Sequence, residues 1–146
     1  NKPNNILPVI CNSAETGEEM MVFGSDYDTR EGSCIRDYVH VSDIAEAHVK
    51  AFEYLISDKS LSYDVYNLGL GIGNRFENQG LTVLEVIKSF EKVNNVKVNY
   101  KIGLRREGDI VEIYSNSAKA RKIGWKPTRT VDDMVSSAWK WHKNKI

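Results

Sequence analysis

The sequence predicts an α/β domain. Short runs with strand-like patterning alternate with segments of helical period, and the helix ends carry capping residues and glycines. Asn1–Pro8 contains Pro3-Asn4-Asn5-Ile6-Leu7-Pro8, a Pro/Asn cluster that predicts a loop. A short helix is expected over Val9–Thr16, closing near Gly17. Met20–Phe23 predicts a strand, and Asp26–Ser33 a polar loop.

Within Cys34–Ala47, the polar residues Arg36, Asp37 and His40 interleave with Ile35, Tyr38, Val39 and Val41. A short strand can carry that pattern, with polar groups at a site and apolar ones in the core. Ser42 or Asp43 is then expected to cap a helix, since each has a side-chain oxygen for the free backbone N–H groups. Glu46 stands three residues after Asp43, as a capping box requires. Over Asp43–Ile56, Ile44, Ala45, His48, Ala51, Phe52 and Leu55 recur at three- and four-residue steps, predicting an amphipathic helix.

Ser57–Ser62 has linker composition, and Tyr63–Leu68 predicts a strand running into glycines. Gly69-Leu70-Gly71-Ile72-Gly73 is not a dinucleotide fingerprint: the third glycine position holds Asn74, and no helix signal follows until Thr82. These glycines are expected to serve tight packing. Thr82–Val93 predicts a helix opened by Thr82 and Glu85 and ended at Asn94-Asn95. Val96, Val98, Tyr100 and Ile102 alternate as in a half-exposed strand. Asn116–Ile123 predicts a short helix, with Gly124 at C′ and Pro127 beyond. Thr130 is expected to cap a last helix that has Asp132 and Asp133 in its first turn. Val131, Met134, Val135, Ala138 and Trp141 or His142 would form its buried stripe.

The 146 residues suffice for one domain with a core. Lys+Arg and Asp+Glu number 20 each, and this balance argues against a broad nucleic-acid surface. The two cysteines, Cys11 and Cys34, have no disulfide or zinc spacing, and no third ligand joins His40 and His48, so no metal site is expected. No apolar run reaches membrane-spanning length, no secretory leader is expected, and a reducing, cytoplasmic location is the expectation. The first residue is Asn, consistent with a piece of something longer.

Two places could hold a phosphate. Arg36 offers a planar fork that keeps its charge, and Asp37 could orient it. Arg105-Arg106-Glu107-Gly108-Asp109 could clamp phosphate with a cation and sugar hydroxyls with a carboxylate. Taken singly, the first is more readily a solvated or structural ion pair and the second more often a charged turn. Asn4 and Asn5 could meet a base edge or cap a turn.

The order of the motifs is more informative than any one of them. Val22-Phe23-Gly24-Ser25-Asp26-Tyr27-Asp28-Thr29-Arg30-Glu31-Gly32-Ser33 leads into Cys34-Ile35-Arg36-Asp37-Tyr38-Val39-His40-Val41. Tyr66-Asn67-Leu68-Gly69-Leu70-Gly71-Ile72-Gly73, Arg105–Asp109 and Gly124-Trp125 follow. In this order and spacing the chain resembles, from about Asn4 to Trp141, the C-terminal half of the UDP-glucose (UDP-galactose) 4-epimerases. These are extended short-chain dehydrogenases/reductases. Asn74–Gly80 departs from the family as an insertion, and Ile6 replaces its usual Leu.

The resemblance implies the substrate-binding portion of a Rossmann-like parent fold, without its catalytic Rossmann half. It places Asn4, Asn5 and Ile6 at the uridine nucleotide and the backbone of Met21, Val22 and Phe23 around the uracil. It assigns Arg36 and Arg106 to the diphosphate and Asp109 to the ribose. Ile113 would border the sugar, where a branched, stiff side chain disfavours N-acetylated sugars. The implied parent binds NAD, exchanges a hydride with C4 of the sugar, interconverts UDP-glucose and UDP-galactose, and forms a homodimer. This chain alone is expected to bind no NAD and to lack catalytic residues. It has no Gly-rich first βα turn, and none of its tyrosines has Lys four residues on. About residues 36–68 are expected to pack on the missing cofactor half. The alternatives are a non-catalytic nucleotide-sugar-binding or interaction module and, less well matched by Tyr27–Val41 with Arg105–Asp109, a nucleotide-sugar dehydratase or decarboxylase.

Overall fold

In the computed structural model the described residues are 5–57, 63–70 and 80–144. They fall into two units, Asn1–Arg36 with Leu81–Glu112 and Val131–Ile146, and Asp37–Gly80 with Ile113–Thr130.

The first unit is built on α1 (Ile6–Thr16), β1 (Met20–Phe23), β2 (Ile35–Arg36), β3 (Leu81–Thr82), α3 (Val83–Asn94), β4 (Tyr100–Gly103) and α5 (Val131–Lys143). Helix α1 starts three residues before the expected Val9. Pro8 is tolerated because it lies in the first turn, where a backbone N–H has no intrahelical partner to lose. Gly17 ends the helix at φ 75°, its N–H bonded to the Ser13 carbonyl. The capping box forms as the sequence predicts. Thr82 Oγ1 accepts from Glu85 N, and Glu85 accepts from Thr82 N.

Strand β1 pairs in parallel with β4, Met20 opposite Tyr100 and Phe23 opposite Gly103. The expected strand from Val96 therefore begins only at Tyr100, because that is where β1 supplies a partner. Strand β2 pairs antiparallel with β3 and reaches only Arg36. Met20 and Val22 turn into a core with Ile10, Cys11, Val86, Ile87, Phe90 and Val135. On α5, Met134 and Val135 are buried, but Trp141 is 65% exposed. Of the expected Trp141 or His142, His142 is the one covered, its side chain stacked on Trp139 at 5.8 Å, and Trp139 meets Phe90 edge-on at 5.5 Å.

The second unit contains α2 (Val41–Ser57) and α4 (Ala118–Lys122). Helix α2 begins at Val41, so neither Ser42 nor Asp43 is its cap. His40 does that work: its Nδ1 accepts from Ser42 N at 3.0 Å. Asp43 lies inside the first turn and is buried, accepting from Thr128 N, Arg129 N, Thr128 Oγ1 and Arg129 Nη1. Trp125 donates its indole N–H to the Asp43 carbonyl at 2.7 Å. Ala47, Ala120 and Trp125 form this unit's core, with Val39, Tyr66 and Leu68 against it.

Most of the expected α2 stripe is not covered. Phe52 is 62% exposed, Ala45, His48 and Leu55 are also exposed, and only Asp43 and Ala47 are buried on this helix. His48 bonds to the Ile44 carbonyl. Tyr63–Leu68 is not a strand. A strand needs a neighbour's ladder, and among the described residues the second unit has none. Helix α4 is shorter than expected, and Gly124 follows it at φ 82° as predicted. Asn4, residues 58–62 of the expected linker, Gly71 to Gly73 and most of the Asn74–Gly80 insertion lie outside the described residues.

Candidate functional site

The candidate site is built on the β1/β4 pair. Met20 N donates to Asn99 O and Gly24 N to Gly103 O, so the backbone groups of Met20, Val22 and Gly24 face β4. In a parallel ladder the alternate residues point the other way, so Met21 and Phe23 present their N–H and C=O along the opposite edge. Among the described residues no strand pairs with that edge. The side chains alternate too: Met20 and Val22 are buried, Met21 is half-buried and Phe23 exposed. Gly103, opposite Phe23, leaves room for Met21, since a Cβ there would lie 2.4 Å from its Sδ.

The turn after β4 adds the charges. Arg106 lies over the Phe23 ring, Cζ 4.4 Å from the centroid. Asp109 N donates to Arg106 O at 3.2 Å, closing the turn at Gly108, whose φ is 82°. Arg36 reaches the same turn from β2. Its Nη1 donates to the carbonyls of Ile35 at 2.9 Å and Ile110 at 2.7 Å, and its Nη2 lies 3.5 Å from Asp109 Oδ1. Arg36, Arg106, Asp109 and Phe23 are thereby linked within the first unit. Asp37 does not orient the Arg36 fork. Its carboxylate accepts from Leu70 N and Ser115 N, as follows from successive side chains in extended backbone pointing to opposite sides.

Asn5 is the N-cap of α1 by backbone geometry but makes no side-chain capping bond, and Ile6 opens the helix half-buried. Ile113 belongs to the second unit and is 47% exposed.

Arg105, part of the charged motif but given no role of its own by the resemblance, has a structural one. Its Nε donates to Asp26 Oδ1 at 2.7 Å, its Nη2 bonds the Asp26 carbonyl, and its guanidinium covers the Tyr27 ring at 4.3 Å. The bond from Arg105 lowers the Asp26 pKa, and Asp26 in turn raises that of Arg105. Burial, then the hydrogen bond with Cys34, push the Tyr27 phenol up. The pair fixes the 24–33 loop against the 104–109 turn. Its partners stand 79 residues apart in sequence, which is why no local pattern announces it.

Among the described residues no strand runs through a glycine-rich turn into a helix. The N-terminus of α2 is closed by His40, and β1 and β4 lead into loops. These residues do not fit a dinucleotide cradle. No group of three or more metal-binding side chains occurs among them.

Within the first unit, the β1/β4 pair thus carries two arginines and an aspartate at one end. The chain belongs to the GDP-mannose 4,6 dehydratase family, whose model matches residues 2–138. Within it, the chain is similar to UDP-glucose 4-epimerases. It is 40% identical over 146 residues to that of Bacillus subtilis, covering 99% of this chain and 40% of the relative. Two solved UDP-glucose 4-epimerases are also similar, each 39% identical. The Stenotrophomonas maltophila enzyme, with NAD and formylated UDP-arabinopyranose, has a TM-score of 0.86 over 98% of this chain and 40% of its own. The Bifidobacterium longum enzyme, with NAD+ and UDP, has a TM-score of 0.82 over 99% and 41%. The chain thus spans about 40% of the length of these relatives, a C-terminal portion.

Proposed function

We propose that the chain is the UDP-sugar-binding half of an NAD-dependent UDP-glucose 4-epimerase, acting in the cytoplasm on UDP-glucose and UDP-galactose. The linkage of Arg36, Arg106 and Asp109 beside Phe23 is the observation that carries this reading. In it, Arg36 and Arg106 take the diphosphate, Asp109 the ribose hydroxyls, and the outward backbone edge of Met21 and Phe23 the uracil, with Val22 buried beneath. Asn4, Asn5 and Ile6 lie at the nucleotide. Ile113 borders the sugar and disfavours N-acetylated substrates; comparable turnover of both sugar pairs by the longer protein would refute that assignment.

NAD supplies the redox chemistry of epimerisation when bound to the missing half. The residues present here hold the nucleotide handle and leave the sugar free to turn, so that remote binding energy positions the reacting centre. The chain alone is therefore inactive, and turnover by it with NAD would defeat the assignment. Residues 36–68 dock on the absent N-terminal half, a reading supported by the exposed Val49, Phe52, Ile56, Tyr63 and Val65 and by the share of the relatives' length that this chain spans. The full-length protein is a homodimer in this reading.

Calorimetric titration of the chain with UDP tests the site. Saturable binding is expected. Arg36→Gln or Arg106→Gln should weaken it from severalfold to about a hundredfold, since a hydrogen bond to a charged group contributes about 1.5–3 kcal/mol. Absence of binding at millimolar UDP, or an affinity in both variants equal to that of the unaltered chain, would remove the basis of the proposal.

A further inference from the structure

We infer that Asp109 acts as a counter-charge that makes this site discriminate against bare phosphate anions, and so as a specificity-determining residue. The inference deepens the reading above and rests on its assignment of Arg36 to phosphate and Asp109 to ribose. Both contacts of Arg36 Nη1 go to main-chain carbonyls, those of Ile35 and Ile110. These fix the plane of the guanidinium and leave Nη2 directed at the site, where Asp109 Oδ1 lies 3.5 Å away. The two side chains are 28% and 25% exposed, so the pair is screened less than one fully in water.

An anion approaching that edge competes with the carboxylate for the same donor and meets its like charge. Inorganic pyrophosphate has nothing to offer the displaced carboxylate. A nucleoside diphosphate brings ribose hydroxyls that donate to Asp109 while its phosphates accept from Arg36 and Arg106. The same carboxylate thus opposes one ligand and favours the other, which is specificity obtained by a repulsive element as well as an attractive one. Arg106 does not relieve the conflict. Its guanidinium sits over the Phe23 ring, and no ion pair to Asp109 is formed by it among the described residues.

The test is titration of this chain and its Asp109→Asn variant with pyrophosphate, UDP and uridine at one fixed ionic strength. In the variant, pyrophosphate should bind at least about threefold tighter, the scale of a lost partly exposed ion pair. UDP should bind about ten- to a hundredfold weaker, because a charged acceptor of hydroxyl bonds is gone. Uridine should weaken with it. Glu107→Gln removes the same charge two residues away on an exposed position and should move pyrophosphate by less than about twofold. Asp109→Ser repeats the comparison, with circular dichroism to confirm that the variants are folded. Unchanged or weaker pyrophosphate binding in Asp109→Asn, an equal gain in Glu107→Gln, or no pyrophosphate binding by either form would overturn the inference. Failure of the wild-type chain to bind UDP would instead strike the underlying assignment, and the pyrophosphate comparison would still be read by itself.

Discussion

Replacing Asp43 by Asn should unfold the second unit far more readily. The carboxylate is fully buried and accepts from Thr128 N at 3.3 Å, Thr128 Oγ1 at 3.2 Å, Arg129 N at 3.2 Å and Arg129 Nη1. An Asn amide keeps one acceptor oxygen but turns an NH2 group toward donors that expect an oxygen. Loss of one member of a buried ionic network costs about 3–5 kcal/mol, and the remaining acceptor recovers part of it, so about 3 kcal/mol is expected. Trp125 gives the signal. It is buried, donates to the Asp43 carbonyl, and is the tryptophan of this unit, whereas Trp139 and Trp141 lie on α5. Urea unfolding would be followed by fluorescence in a Trp139→Phe, Trp141→Phe background. Arg129→Gln should cost less, because the backbone donors to Asp43 remain, and the double variant should lose less than the two losses added. The effect also depends on pH. Burial would raise the Asp43 pKa, but the bonds from the Arg129 backbone and guanidinium and from Thr128 outweigh it and hold it below its ordinary value. A depressed folded pKa contributes stability above the unfolded value of about 3.9, and that contribution is lost as pH falls through the folded value. The gap between wild type and Asp43→Asn should therefore narrow below about pH 4. A loss under about 1 kcal/mol at neutral pH, the size of an ordinary substitution, would refute the reasoning.

Gly32 has φ 76°, and a Cβ there would lie 2.0 Å from the Ser25 carbonyl oxygen, so Gly32→Ala should destabilise the first unit by at least about 2 kcal/mol, read as a lowered Tm. Gly103→Ala meets only the flexible Met21 thioether, so the fold should hold to within about 1 kcal/mol while displacement of Met21 weakens UDP binding severalfold; unchanged UDP affinity would detach Met21 from the site. Phe52→Lys changes an exposed position and should alter the chain's own stability by less than about 0.5 kcal/mol, yet reduce capture of a co-expressed N-terminal half; equal capture would move the docking face away from α2.

Sequence reading succeeded where the determinant is local. Thr82 and Glu85 satisfy each other across one turn, and Gly124 ends α4 through its own φ, so both could be read from neighbours. It failed where the deciding partner is remote. Asp43 has the composition of a cap, but its acceptors are taken by residues 85 and 86 positions later, and the capping falls to His40. The periodicity of α2 is genuine, yet periodicity reports an apolar face and not what covers it. In this chain Phe52 and Leu55 remain exposed. Tyr63–Leu68 shows the same limit: its β-prone residues cannot make a strand without a ladder to join. On α5 the sequence left Trp141 or His142 open, and it is His142 that the fold covers, with Trp139 set against Phe90.

The paired arginines show why a motif gives chemistry more readily than role. Arg105 and Arg106 are adjacent and equal in charge, so composition cannot separate them. Successive side chains of an extended segment leave on opposite sides, and the two guanidiniums therefore meet different surroundings. Arg105 finds Asp26 and Tyr27 and is used up in holding the 24–33 loop to the turn. Among the described residues Arg106 meets the face of Phe23, and it is the one that the proposed site gives to the diphosphate. A loss of nucleotide affinity on replacing Arg105 would consequently be indirect, through the position of the turn, and Asp26→Asn should reproduce much of it. In the proposed site, replacing Arg106 should instead act directly, by removing a phosphate contact, and Asp26→Asn should not reproduce it.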